Sequence, residues 1–267
     1  MKYGYCLSPY FAKGDAGGQM LFNAIVKAGF DYAELRLCEL ATLTPEEIAK
    51  LKQALQSIPC KACYVFFPPE LTLVGPEMDI EGITAYLGRM LPLAASLGAE
   101  ILVFGNGNAR KVPDGQCREA IWKDLRTIAE IMDAKANETG LRISIEHLNK
   151  KESNILNSYG EAVALTEGLT HVSAMIDSYH VAQDGLTYED VYHNPKALWH
   201  LHTAFPIGRT APSPEDDMTQ YADFVQMVKK LGYNGRISVE GSLRAADAEG
   251  VEKEVRESLA TLKQMFE

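Results

Sequence analysis

The feature that most constrains this chain is an alternation that runs its whole length: short apolar runs of strand length, each followed by a longer segment with the apolar period of a helix. Repeated βα units of this kind lay their strands parallel and cover the sheet with helices. Eight runs can be placed, at Tyr3 to Leu7, Tyr32 to Leu37, Ala62 to Phe67, Ile101 to Phe104, Arg142 to Glu146, Val172 to Asp177, Leu198 to Thr203 and Arg236 to Glu240. Eight units in 267 residues fit the roughly 250 typical of one closed (β/α)8 barrel, the TIM-barrel class of α/β fold. The expectation is one domain over residues 1–267, with no linker, repeat tract or low-complexity segment.

Helix punctuation agrees with that spacing. Thr44-Pro45-Glu46-Glu47 reads as an N-cap, a proline at the first helical position and acidic residues where the helix dipole favours them, so a helix is expected through Ser57. Ile80 to Leu97 and Gln116 to Glu138 carry helical spacing, and Gly98 and Gly140 stand where helices end before a strand. Glu249 to Phe266 closes the barrel as an eighth helix, with Val251, Val255, Leu259 and Leu262 on one face.

Hydrophobic residues make up 46% of the chain and charged residues 23%, the proportions of a globular protein. A formal net charge of −10 repels phosphate backbones, so nucleic acid is not an expected partner and small molecules are. Met1 to Tyr10 has no charged segment leading into an apolar one, and no apolar run approaches membrane-spanning length. The expectation is a cytoplasmic protein with no membrane partner. Five cysteines (Cys6, Cys38, Cys60, Cys63 and Cys117) are an odd number in a chain too large to need disulfides. Cys60 and Cys63 form a CxxC, but the pair leads into an apolar run and lacks further ligands, so buried thiols are expected. Phe66, Phe67 and the stretch Leu71-Leu73-Val74 read as an exposed apolar loop that would cap a neighbour's site in a homo-oligomer.

The last four strands end in chemistry. In Arg142-Ile143-Ser144-Ile145-Glu146, period-two alternation turns Ile143 and Ile145 toward the helices and Glu146 into the barrel. The same parity points Asp177 inward at the end of Ala174-Met175-Ile176-Asp177, and places His200 and His202 inward on the next strand. Ile237 and Val239 face the helix layer, which leaves Glu240 inward. These side chains converge at the C-terminal rim, where barrel enzymes place their chemistry. Three carboxylates and an imidazole crowded there would repel or take up protons, whereas one divalent cation resolves the conflict and suits a mostly oxygen donor set. The plainer alternative is that each carboxylate is separately paired on the surface.

The segments Glu146-His147-Leu148-Asn149, Asp177-Ser178-Tyr179-His180, His200-Leu201-His202 and Ser238-Val239-Glu240 resemble the signatures of the xylose-isomerase-like barrel superfamily, in its sugar phosphate isomerase/epimerase branch. That branch includes ketose 3-epimerases, hydroxypyruvate isomerases and inosose dehydratases. The resemblance extends to the loop from Phe104 to Arg110 and to Arg209 through Asp217. It implies that Glu146, Asp177, His202 and Glu240 bind one Mn²⁺, Mg²⁺ or Co²⁺, and that Glu146 and Glu240 also act as acid and base on a sugar or sugar phosphate. A metal holding a carbonyl and its neighbouring hydroxyl acidifies the intervening C–H and stabilises an enediolate. Proton return to the opposite face gives an epimer, return to the adjacent carbon gives aldose-ketose isomerisation, and loss of a β-hydroxyl gives dehydration.

Glu152, His180 and Arg209 match positions that in family members contact substrate oxygens, although Arg209 stands one residue farther from His202 than in ketose 3-epimerases. Arg110 is carried as a further substrate contact. The glycines of Gly105-Asn106-Gly107 fit either a phosphate cradle or a plain turn, and the turn is the expectation. Glu34, inward on the second strand, either pairs with a neighbouring base or supports the site from behind it, and His200, one layer below His202, is expected as a core or supporting histidine rather than a ligand. His147, His171 and His193 carry no assigned role. Two other classes of function fit the sequence less well. A zinc endonuclease of abasic DNA would need more histidines at the strand ends and a basic face. A non-catalytic sugar-binding barrel would have no use for an intact ligand set.

Overall fold

The computed structural model describes residues 1–267, the side chain of Asn108 apart. Eight strands close into a barrel in chain order: β1 (Lys2–Leu7), β2 (Tyr32–Arg36), β3 (Cys60–Tyr64), β4 (Ile101–Phe104), β5 (Arg142–Glu146), β6 (Val172–Asp177), β7 (Leu198–Thr203) and β8 (Arg236–Val239). Neighbours pair in parallel all the way round, including β8 back onto β1. The expected barrel is therefore the observed one, with each strand displaced by no more than a few residues. β3 is the largest displacement. It ends at Tyr64 because Val65 adopts a positive φ of 47°, which removes it from the ladder. Glu240 lies one residue beyond β8, yet its N–H still donates to the Thr203 carbonyl at 3.0 Å, which keeps it at the rim.

Caps place the helices where the sequence signals stand. Thr44 and Glu47 form a reciprocal capping box ahead of Pro45–Ala54, a helix three residues shorter than expected. Asp79 caps Ile80–Ser96, and Gly140, at φ 72°, stops Arg118–Thr139. The last helix, Ala248–Phe266, buries Val251, Val255, Leu259 and Leu262 and packs against Ala16–Ala28. No helix of the described residues is long and apolar enough to cross a membrane.

Outward strand residues such as Ile143, Ile145 and Ile237 join the helices in the main hydrophobic core. The barrel interior is filled in layers, with Tyr32, Ala62 and Ile101 against Trp199 at the bottom and Cys6, Tyr64, Val103 and Met175 above them. Above the lowest layer, and partly among these residues, lie Glu34, His200 and His202, all fully buried. Cys60 and Cys63 are buried free thiols, as expected of that CxxC.

The apolar loop expected to meet a neighbour does not stand exposed. Phe66, Phe67, Leu73 and Val74 are buried in this chain's own core, where Phe67 stacks among Phe66, Tyr86 and Phe104. These four side chains pack between β3, β4 and helix Ile80–Ser96, while Leu71 stays partly exposed.

Candidate active site

Glu146, Asp177, His202 and Glu240 are brought together at the C-terminal rim, one donor atom from each lying within 4.8 Å of the others. They come from four consecutive strand ends, β5 to β8. Asp177 and His202 are direct cross-strand partners, so their side chains share a face, and Glu146 and Glu240 stand at the two ends of the arc. His202 Nδ1 lies 3.1 Å from Glu240 Oε2 and 3.6 Å from Glu146 Oε1. These donors fit a divalent cation. Glu146 Oε1 is buried with no hydrogen-bond partner among the described residues, and three carboxylates with one imidazole make the oxygen-rich set that Mn²⁺, Mg²⁺ or Co²⁺ accepts.

His180 sits on the short helix Ser178–Gln183 rather than in a loop. Its Nδ1 faces both the backbone N–H of Asn149, at 3.3 Å, and the Asn149 amide Nδ2, at 2.8 Å, so Nδ1 is the acceptor and the ring proton resides on Nε2. That Nε2–H points toward Asp177 Oδ2 at 3.6 Å and Glu146 Oε1 at 3.8 Å. Glu152, 38% exposed at its side chain, accepts from Asn149 Nδ2 at 2.9 Å. Asn149 therefore orients both, a role that only its place in the Glu146-His147-Leu148-Asn149 segment hints at.

Arg209 reaches the site despite its longer spacing from His202. The loop after β7 folds back through a bridge between Phe205 and Thr210, and Arg209 takes a φ of 49°, which turns its side chain inward. Its Nη2 donates to Glu240 Oε2 at 2.9 Å and to Asp177 Oδ2 at 3.3 Å, while Nη1 lies 3.5 Å from Glu152. The guanidinium also stacks 4.6 Å above the Tyr179 ring, a contact that no local pattern in the chain announces.

The electrostatics follow from this crowding. Burial, reinforced by the charges of Glu146 and Glu240 and opposed by Arg209, pushes the Asp177 carboxyl up to about 7. Burial and the Glu240 charge raise Glu146. Burial also works against the Glu240 charge, but His202 and Arg209 hold that carboxyl below its ordinary range. Burial and the nearby Arg209 keep the His180 ring neutral. Asp177 and Glu146 are thus held toward the protonated form and Glu240 toward the ionised one.

Arg110 does not face the opening. Its side chain is wholly buried and donates from Nη1 to the Phe104 carbonyl at 3.1 Å and from Nη2 to the Glu146 carbonyl at 2.5 Å. Burial lowers its pKa to about 10, still charged at neutrality. The expected substrate contact is thus a clamp across the ends of β4 and β5. The reason lies in the turn that precedes it, which folds the side chain under the loop. The glycines of that loop do more than make a turn. A Cβ on Gly105 would fall on Glu146 Oε2, and one on Gly107 would come 2.8 Å from the Glu152 carbonyl oxygen. Gly105→Ala is expected to displace the Glu146 carboxylate and lower turnover on the order of 10²-fold, as misplacements of about 1 Å do. Turnover of the folded, metal-saturated variant measures this, and a normal rate would show that Glu146 needs no such room.

His147 faces out of the barrel and is buried, with neither ring nitrogen hydrogen-bonded among the described residues. It takes no part in the cluster.

Comparison with known proteins agrees with this architecture. Among solved structures the chain is similar to the apo form of 3-keto-D-glucoside 4-epimerase from E. coli (21% identity, 99% of both chains covered, TM-score 0.77). It is similar also to D-allulose 3-epimerase from Methylomonas sp. in complex with D-allulose (18% identity, 100% of this chain and 97% of that chain covered, TM-score 0.82). D-psicose 3-epimerase from Clostridium cellulolyticum H10 with D-tagatose matches at 18% identity over the whole of both chains, with a TM-score of 0.77. Among curated proteins no sequence match is found. The family model described as xylose isomerase-like TIM barrel matches residues 22–265, and the chain therefore belongs to that family.

Proposed function

We propose that this chain is a divalent-metal-dependent sugar isomerase or epimerase that moves a proton at a carbon beside a carbonyl, through an enediolate. The observation that carries the reading is the arc itself. Two carboxylates stand at its ends, on β5 and after β8, with Asp177 and His202 between them. The three solved neighbours named above are epimerases of ketoses or of a keto-glucoside, which supports the same class.

Glu146, Asp177, His202 and Glu240 would hold the cation. Bound there, a divalent ion would polarise the substrate carbonyl and acidify the neighbouring C–H. The protein's own groups do the rest. Glu146 and Glu240 flank the reacting carbon, so one removes its proton and the other can deliver one from the opposite side. His180 presents an Nε2–H and Arg209 a permanent charge beside Asp177 and Glu240, placed to stabilise oxygen charge as the proton leaves. Glu152, partly exposed beside Arg209, is placed to accept from a sugar hydroxyl.

The test is incubation of metal-loaded protein with a panel of ketoses and ketose phosphates in D₂O. Deuterium is expected at a carbon next to the carbonyl of the true substrate, and its position with the product's stereochemistry separates epimerisation from aldose-ketose exchange. Net loss of water from a keto-polyol would instead assign a dehydratase. Absence of exchange across the panel, with sugar binding retained, would assign a non-catalytic barrel.

A further inference from the structure

Below the four-residue cluster lies a second arrangement that the reaction does not use directly. Glu34, in the middle of β2, is fully buried and receives three groups. His202 Nε2 lies 2.9 Å from its Oε1 and His200 Nε2 lies 2.9 Å from its Oε2, which also accepts from Ser238 Oγ at 2.5 Å. Ser238 is in turn 2.8 Å from the Tyr32 hydroxyl. Each carboxylate oxygen is thereby committed, and both imidazoles present Nε2–H to a group that can only accept.

The geometry points to Glu34 as a positioning residue that fixes the tautomer and the ring angle of His202, so that Nδ1 alone faces the cation site. This inference rests on the reading of Glu146, Asp177, His202 and Glu240 as a metal centre. An imidazole offers one lone pair to a metal only when its proton sits on the other nitrogen, and a carboxylate behind the ring both holds that proton and makes the lone pair a better donor. Here one carboxylate does this for a ring whose Nδ1 is 3.1 Å from Glu240 and 3.6 Å from Glu146. His200 is the second guest of the same carboxylate. Its own Nδ1 has no partner among the described residues and lies outside the cluster, so it secures Glu34 without binding metal.

A neutral amide cannot replace Glu34. Glutamine has one acceptor oxygen and one donor NH₂, so one of the two histidines would face a donor, and the negative charge behind His202 is lost in either orientation. Loss of such supporting partners typically weakens metal binding about 10- to 100-fold.

The experiment measures Co²⁺ affinity by titration calorimetry, with the cobalt visible spectrum as a second signal, for wild type, E34Q, H200Q and H202A. Wild type is expected to bind one ion and H202A to lose it; if wild type binds none, the metal-centre reading itself fails. Given those two results, E34Q is expected to bind 10- to 100-fold more weakly with a changed cobalt spectrum, and H200Q within about threefold of wild type. E34Q that folds and binds as wild type does would overturn the role of Glu34 alone, as would H200Q losing metal to the same extent. A measurement that needs no variant guards against a misfolded E34Q. In wild type loaded with diamagnetic Zn²⁺, long-range ¹H–¹⁵N spectra should show His202 protonated at Nε2. Protonation at Nδ1 would overturn the inference.

Discussion

With metal saturating, Glu146→Gln and Glu240→Gln are each expected to lower turnover by about 10²- to 10⁴-fold, the usual cost of losing a positioned acid or base. The amide keeps a ligating oxygen, so excess metal restores occupancy. It cannot accept the substrate proton, so the rate stays low when the site is full. If the two residues served only as ligands, saturation would bring turnover back to near normal, and steady-state rates against metal concentration decide between the two. An epimerase adds a finer signature because one carboxylate faces each side of the carbon. Hydrogen exchange with solvent should survive from one epimer in the first variant and from the other epimer in the second. A shared loss without opposite preferences would favour isomerisation or dehydration.

Stripping the metal with a chelator is expected to abolish turnover while the barrel stays folded, because the core that closes the sheet lies between strands and helices, away from the cluster. Mn²⁺, Co²⁺ or Mg²⁺ should restore activity, and full activity in stripped protein would remove the metal from the mechanism. Asp177→Asn and His202→Ala are expected to lower metal content, measured by elemental analysis, since each deletes a donor or its charge. The affinity should also depend on pH with a definite sign. Asp177 is raised in the folded, metal-free protein to about 7 from an ordinary 3.8. The folded state thus binds this proton more tightly than the unfolded chain does. The resulting stabilisation is full below about 3.8 and is lost as pH rises through about 7. A cation must displace that proton, so binding strengthens over the same window. The rise in melting temperature on adding metal should therefore grow from pH 5 to pH 8. A metal-induced shift that is flat across that range would mean the carboxyl is already ionised.

How much of this was open to reading without coordinates depended on whether a feature was local. Glu146, Asp177, His202 and Glu240 were identifiable because strand parity is a period of two, and a strand that buries Ile143 and Ile145 against helices must turn Glu146 the other way. The capping box at Thr44 and the stop at Gly140 were legible for the same reason: each involves residues within a turn of one another. That Glu34 meets partners across the barrel was legible too, since an inward carboxylate in a closed barrel must find a base or a donor there.

The sequence by itself thus determined the barrel, the strand faces and the identities gathered at the rim. Tertiary structure alone decided which side chains reach one another. The 49° φ at Arg209 and the bridge from Phe205 to Thr210 bring a guanidinium onto Asp177 and Glu240, although its spacing along the chain left that reach open. Arg110 turns beneath its loop to grip two carbonyls instead of meeting substrate, and Gly105 is needed for a carboxylate forty-one positions later. Phe66 and Phe67, which look exposed in a list of residues, are enclosed by Tyr86 and Phe104. In each case the deciding distance runs between elements far apart in the chain. It is set by how the closed sheet and its loops pack, through register shifts such as those between β2 and β3 and between β6 and β7, which no local period encodes.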